Sequence, residues 1–73
     1  MKELRIGNNL KAARAAAGLT QEELADRVGV ARQTIGLIEA GRYNPSLKLC
    51  LLLSRSTNTP LDELFWEEEH ADA

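Results

Sequence analysis

The sequence predicts an all-α fold, a compact bundle of five short helices, on three observations. Gly, Pro and helix-capping residues divide the chain into short pieces, no β-rich stretch of useful length lies between them, and within the pieces apolar residues recur at helical spacing. A chain of 73 residues makes one domain and buries only a modest fraction of its surface, so it must pack economically or oligomerise.

In chain order, Leu4 and Ile6 alternate with polar residues, a period of two that fits a short strand as well as an early start to the first helix. Leu10, Ala13 and Ala17 share one face of an alanine-rich helix, with Asn8 or Asn9 as its cap and Gly18 as its stop. Thr20-Gln21-Glu22-Glu23 has the form of a capping box, in which Thr20 accepts from the third helical N–H and Glu23 reaches back to the N-cap. The second helix buries Leu24, Ala25 and Val28 and stops at Gly29. A third runs from about Arg32 to Ala40, with Ile35 and Ile38 inward, Arg32, Gln33, Gly36 and Leu37 outward, and Gly41 just past its end. Ser46 caps a fourth, whose Leu47, Leu49, Cys50, Leu51 and Leu53 supply much of the core, and which ends near Asn58. Thr59-Pro60 pairs an N-cap with a proline at the first helical position, opening a short fifth helix that carries Leu61, Leu64 and Phe65. The domain is expected over residues 1–66, followed by a frayed or disordered acidic tail over 67–73.

Composition narrows the function. The chain is 44% hydrophobic and 27% charged, as in globular proteins, and its continuous apolar run, Leu49 to Leu53, is too short to cross a bilayer. The opening residues lack the apolar stretch of a secretory signal and the lone Cys50 cannot form an internal disulfide, so a cytoplasmic location is expected. The net charge of −2 hides a division: Met1 to Thr59 carries nine basic against five acidic residues, whereas Pro60 to Ala73 carries six acids and no base. The mildly basic body can accept phosphate while the acidic tail points elsewhere. Catalysis is not expected, because no convergent set of acids, bases or ligands exists: the single histidine, His70, lies in the tail, and Cys50 lies in an apolar helix. No cofactor and no metal are implied.

Two short helices joined by a glycine-containing turn, the second polar on its outer side, form the arrangement that places a helix in the DNA major groove. The residues sharpen this. Gly18-Leu19-Thr20-Gln21-Glu22-Glu23-Leu24-Ala25, Val28-Gly29-Val30, Arg32-Gln33-Thr34-Ile35, Ile38-Glu39-Ala40-Gly41-Arg42 and Asn44-Pro45-Ser46-Leu47 follow one another in an order that resembles the phage Cro and repressor (Xre) family of helix-turn-helix regulators. The resemblance runs from about Asn8 to Phe65. It implies a five-helix bundle that binds double-stranded operator DNA, as a homodimeric transcriptional repressor.

Position by position, the resemblance implies that Gln21 holds a phosphate and that Arg32 and Gln33 reach base edges. Their chemistry agrees, since Arg suits guanine O6 and N7 and Gln suits adenine N6 and N7. Thr34 is a candidate for a phosphate or a thymine methyl, or a plain helix-surface residue; Leu37 is a candidate for a thymine methyl. Arg42, Tyr43 and Asn44 match a loop laid along the DNA backbone, and Arg14 and Glu39 match residues that pair between the first and third helices. Departures are Ala31, where a Ser or Thr cap is common, and Ala40, where a polar residue often touches phosphate; they leave Arg32 and Gln33 as the main polar readers.

Leu64, Phe65 and Trp66 put three large apolar residues in succession, and a single helical turn cannot bury all three in its own monomer. Leu64 or Phe65 is assigned to the core and Trp66 to a dimer interface. The resemblance adds a short strand formed by the chain ends, with Leu4 to Ile6 against Phe65 to Glu67. A second reading is a protein-interaction module, such as an antitoxin-like partner, drawn from the acidic tail and from Leu37 and Leu52 as exposed residues.

Overall fold

The computed structural model describes residues 4–68. Its elements are β1 (Arg5–Asn8), α1 (Leu10–Ala16), α2 (Gln21–Val28), α3 (Arg32–Glu39), α4 (Leu47–Ser56), α5 (Leu61–Leu64) and β2 (Phe65–Glu68). Helix α2 begins on a complete capping box: the Glu23 N–H donates to Thr20 Oγ1 at 3.0 Å and the Thr20 N–H donates to Glu23 Oε1 at 2.9 Å. It ends at Gly29, whose φ of 79° lies in the left-handed region that a side chain would disfavour. The chain can therefore reverse at once into α3. Ala31 gives α3 no side-chain cap; its carbonyl accepts from the Thr34 N–H instead.

The core is a single cluster. Leu10 and Ala13 of α1, Leu24, Ala25 and Val28 of α2, Ile35 and Ile38 of α3, Leu49 and Leu53 of α4, and Leu64 of α5 are buried together with Leu19. Asn8 fastens its edge: its side-chain oxygen accepts from the Leu10 N–H at 3.0 Å while its amide donates to the Ile38 carbonyl at 2.9 Å. Asn9 holds the N-cap position, its carbonyl accepting from the Ala13 N–H, while the side-chain bond to the start of the helix comes from Asn8, which in the same act ties the start of α1 to the end of α3. Asn9 contributes its backbone, donating to the Leu64 carbonyl.

At the chain ends the short two-stranded element implied by the resemblance is present, with different bounds. Leu4 to Ile6 were a strand or a helix start; a strand forms, over Arg5–Asn8, and pairs antiparallel with β2 in the register Arg5 to Glu68, Ile6 to Glu67, Gly7 to Trp66 and Asn8 to Phe65. Glu67 and Glu68, expected to fray, are held in that ladder, while His70 and the rest of the tail lie outside the described residues. Phe65 belongs to the strand, not to the fifth helix, because its backbone is extended (φ −135°, ψ 143°). Thr59 does not cap α5: its hydroxyl donates back to the Thr57 carbonyl, and the Pro60 carbonyl accepts from Glu63 and Leu64. In α4, Ser46 caps as expected, but Leu47 and Leu51 point to solvent, at 68% and 46% exposure, and Leu49 and Leu53 alone are fully inside. Leu52, expected outside, packs against the core.

Candidate nucleic-acid interface

Helix α3 lies over α2 with Ile35 and Ile38 as its buried stripe, so the opposite stripe is fixed by the helical period. Arg32 and Gln33 open the helix exposed, Thr34 and Leu37 are half-buried, and Gly36 leaves the middle of the outer face without a side chain. Arg42, Tyr43 and Asn44 follow in an exposed loop beyond Gly41. Tyr43 is 47% exposed, so its ring is largely free of the core. Gln21 is half-buried at the first position of α2.

Hydrogen bonds join several of these residues into one chain of contacts. Arg14 Nε donates to Glu39 Oε2 at 2.6 Å and Arg14 Nη2 to Glu39 Oε1 at 3.3 Å, a two-pronged pair between α1 and α3. Arg14 also donates to the Leu19 carbonyl at 3.0 Å. The pair is substantially buried, with side-chain exposures of 14% and 7%. The Glu39 carboxylate, by accepting from Arg14, pushes the titration of that guanidinium further above its already basic range. Glu39 Oε1 accepts a second bond, from Gln21 Nε2 at 3.0 Å, and Gln21 Oε1 accepts from Arg32 Nη1 at 2.9 Å. The series Arg14, Glu39, Gln21, Arg32 therefore runs from the interior to the first turn of α3. The sequence gives no sign of the two bonds made by Gln21, since they depend on how α2 and α3 are placed.

The N-terminus of α2 carries Glu22 and Glu23 in its first turn. Two carboxylates there offset the positive end of the helix dipole, so an anion nearby must rely on the Gln21 side chain more than on the helix end. Donation from the Thr20 N–H and hydroxyl holds the Glu23 carboxyl below the usual glutamate range.

A second surface, bordered by Asn44 of the loop that follows α3, is apolar. Ile6, Pro45, Leu47, Cys50, Phe65 and Trp66 are among the residues lining an open groove of about 320 Å³. Trp66 is 41% exposed and its indole lies across Gly7: a Cβ on Gly7 would stand 2.4 Å from the ring nitrogen. Leu64, by contrast, is completely buried within its own monomer and is not available to a partner, and Phe65 packs against the core. Cys50 is half-buried; burial pushes its thiol above the ordinary range, as suits a packing residue. The antitoxin-like reading loses part of its footing, because Leu37 is half-buried and Leu52 is covered. No helix among the described residues is long and apolar enough to cross a membrane.

Comparison with known proteins places this geometry. A helix-turn-helix family model matches residues 10–64. An uncharacterized HTH-type transcriptional regulator of Archaeoglobus fulgidus is 48% identical over 60 residues, covering 82% of this chain and 84% of its own. The HTH-type regulator YgzD of Bacillus subtilis, also uncharacterized, is 44% identical over 62 residues, covering 85% of this chain and 94% of its own. Among solved structures, the restriction-modification controller protein C.AhdI of Aeromonas hydrophila superimposes with a TM-score of 0.69 at 37% identity, over 74% of this chain and 82% of that one. These are regulators and not enzymes. The chain belongs to the Cro and repressor-like (Xre) helix-turn-helix family of DNA-binding transcriptional regulators.

Proposed function

We propose that this protein is a cytoplasmic, dimeric repressor that reads a palindromic operator through the major groove. Arg32 and Gln33 contact base edges, Thr34 and Leu37 border them, and Gln21, Arg42, Tyr43 and Asn44 follow the phosphate backbone. The observation that carries the reading is the exposed pair Arg32 and Gln33 at the first turn of α3, with the Arg32 guanidinium tied to the body through Gln21.

Trp66 is the proposed centre of the dimer contact, with Ile6 and Leu47, exposed apolar residues that line the same groove, beside it. Trp is the residue type that most often anchors interfaces, and an uncovered patch of this kind on so small a chain favours association. Two-fold symmetry then sets the two recognition helices about one helical turn, ~34 Å, apart on the DNA.

The test is a mobility-shift titration of the purified protein alone on duplex DNA from its own promoter, over a salt series. About 4 to 6 neutralised phosphates give a log–log slope of roughly −4 to −5. Equal binding to scrambled duplex, or a flat salt response, overturns specific recognition. Sedimentation of Trp66→Ala beside the wild type tests the interface: the variant should be monomeric at micromolar concentration, and a variant that stays dimeric moves the contact elsewhere.

A further inference from the structure

We infer that Asn8 is a positioning residue that sets the angle between the terminal sheet and the recognition helix, and thereby the spacing at which the two half-sites of an operator are read. The inference rests on the proposed dimeric reading, in which two copies meet beside Trp66 and each presents its α3 to DNA. The terminal sheet then lies at the contact between the copies, and α3 must arrive on the duplex at a fixed distance from it.

Asn8 touches both. As the last residue of β1 it stands opposite Phe65, one step along the ladder from the pair of Gly7 and Trp66. Its side-chain amide donates to the Ile38 carbonyl at 2.9 Å, thirty residues away in the chain. That carbonyl stands where the recognition helix gives way to the loop of Arg42, Tyr43 and Asn44. It also accepts from the Gly41 N–H at 3.0 Å, and Gly41 turns the chain out of the helix with a φ of 74°. A carbonyl oxygen has two lone pairs, and the last carbonyls of a helix have no partner within it. The Asn8 amide fills the remaining place, so one side chain fastens the strand to the helix end and to the start of the loop.

The other end of the same amide fixes its direction. Its oxygen accepts from the Leu10 N–H at 3.0 Å, closing a short turn at the start of α1. Reversal of the amide would set donor against donor and acceptor against acceptor, so one orientation alone satisfies both neighbours. Other restraints hold α3 to the helical body: Ile35 and Ile38 seat it in the core, and Glu39 ties it to α1 through Arg14. Apolar packing has no direction, and Arg14 bonds to Glu39 and Leu19, neither of them in the sheet. Among the described residues, the directional bond between sheet and α3 is that of Asn8.

Without this bond α3 and the sheet still pack, but their relative angle must be ordered on each operator. That cost corresponds to about 2- to 10-fold in affinity, and it falls on duplexes that engage both protomers. Spacing reads it out. One base pair inserted between half-sites moves them apart by about 3.4 Å and turns one against the other by about 35°, which a rigid dimer follows less readily than a loosened one.

The experiment uses the full chain. The preferred duplex is selected from a random-sequence library; from it are made duplexes with the half-sites one base pair closer or farther apart, and one with a single half-site kept and the other scrambled. Wild type, Asn8→Asp and Asn8→Ser are titrated on all of them. An ionised Asp carboxylate keeps the acceptor for Leu10 and has no donor for Ile38. Ser keeps the same turn more weakly and is too short to reach Ile38, which preserves the test if Asn8→Asp fails to fold. Circular dichroism sets a temperature at which the proteins are folded, and sedimentation gives their oligomeric state. Both variants should bind the preferred duplex about 2- to 10-fold more weakly than wild type, keep the wild-type affinity for the single half-site, and discriminate less between spacings. Equal weakening on every duplex, or a spacing preference the same as that of wild type, leaves Asn8 as a turn residue and overturns the coupling while the dimeric reading stands. Variants that fall to monomers overturn it too, since Asn8 then acts on the contact itself. If wild type shows no spacing preference, the dimeric reading fails and the coupling fails with it.

Discussion

The outer side of α2 and α3 and the surface built from α4 and the terminal strands are both open to solvent, yet their side chains are organised in opposite ways. On the first, polar groups are bound to one another, from Arg14 in the interior to Arg32 at the rim. On the second, Ile6, Leu47, Leu51 and Trp66 lie open with apolar surface facing water. The contrast teaches how a small chain divides its labour. A surface that reads a polar pattern needs its donors held in place before the partner arrives, because every free rotamer must be ordered on binding. A surface that associates through the hydrophobic effect needs only area, since that force has no direction.

The division can be broken from either side. The largest effect is expected at Glu39→Ala, which leaves Arg14 charged and largely buried with only the Leu19 carbonyl as partner. We expect a destabilisation of about 3 kcal/mol, the lower end for breaking a buried pair because the guanidinium keeps that bond. Thermal melting measures it. An unchanged midpoint would mean that the pair is no more than a surface contact, worth below about 1 kcal/mol.

Gly7→Ala strikes the other side. The new Cβ would collide with the Trp66 ring, so the indole must swing away from the strand it covers. Overpacking of this kind costs about 1 to 3 kcal/mol. Denaturant unfolding gives the loss, and a shift of Trp66 fluorescence to longer wavelength should accompany it. Unperturbed fluorescence would show that the indole does not rest on Gly7. DNA preference should survive the change, because Gly7 and Trp66 take no part in the α2 and α3 network.

The smallest effect concerns the capping box. The Glu23 carboxyl, held below the ordinary glutamate range by Thr20, favours the folded state fully at pH values above that range and loses this contribution as the pH falls through its lowered titration point. Carboxyl chemical shifts over a pH series should show Glu23 titrating below the ordinary glutamate range, and Thr20→Ala should return it to that range.

How far each region could be read from the sequence follows the same division. Helix α2 was legible end to end, since the Thr20 to Glu23 box and Gly29 are local signals with local causes. So was the polar face of α3, because Ile35 and Ile38 fix the buried stripe and the rest follows from the helical period. The facing of α4 was not legible. In the run Leu47 to Leu53 apolar residues fall on every side, so nothing in the pattern distinguishes the buried Leu49 and Leu53 from the exposed Leu47 and Leu51. Strand β2 was misread in extent for a different reason. Glu67 and Glu68 have little strand preference of their own and are ordered by Ile6 and Arg5 at the far end of the chain. Leu64 and Phe65, adjacent in sequence, take different roles because α5 ends between them. The link through Gln21 was equally out of reach: its partners come from two positions of α3, Arg32 and Glu39, and meet it only once the helices are packed.

Amide proton and nitrogen spectra recorded during titration with the preferred duplex decide whether DNA meets the α2 and α3 face while the apolar surface serves the protein itself. The largest shifts are expected at Gln21, Arg32, Gln33, Thr34, Arg42 and Asn44, with Ile6, Leu47, Leu51 and Trp66 nearly unmoved. Shifts centred on Ile6, Leu47 and Trp66, with Arg32 and Gln33 silent, would contradict it.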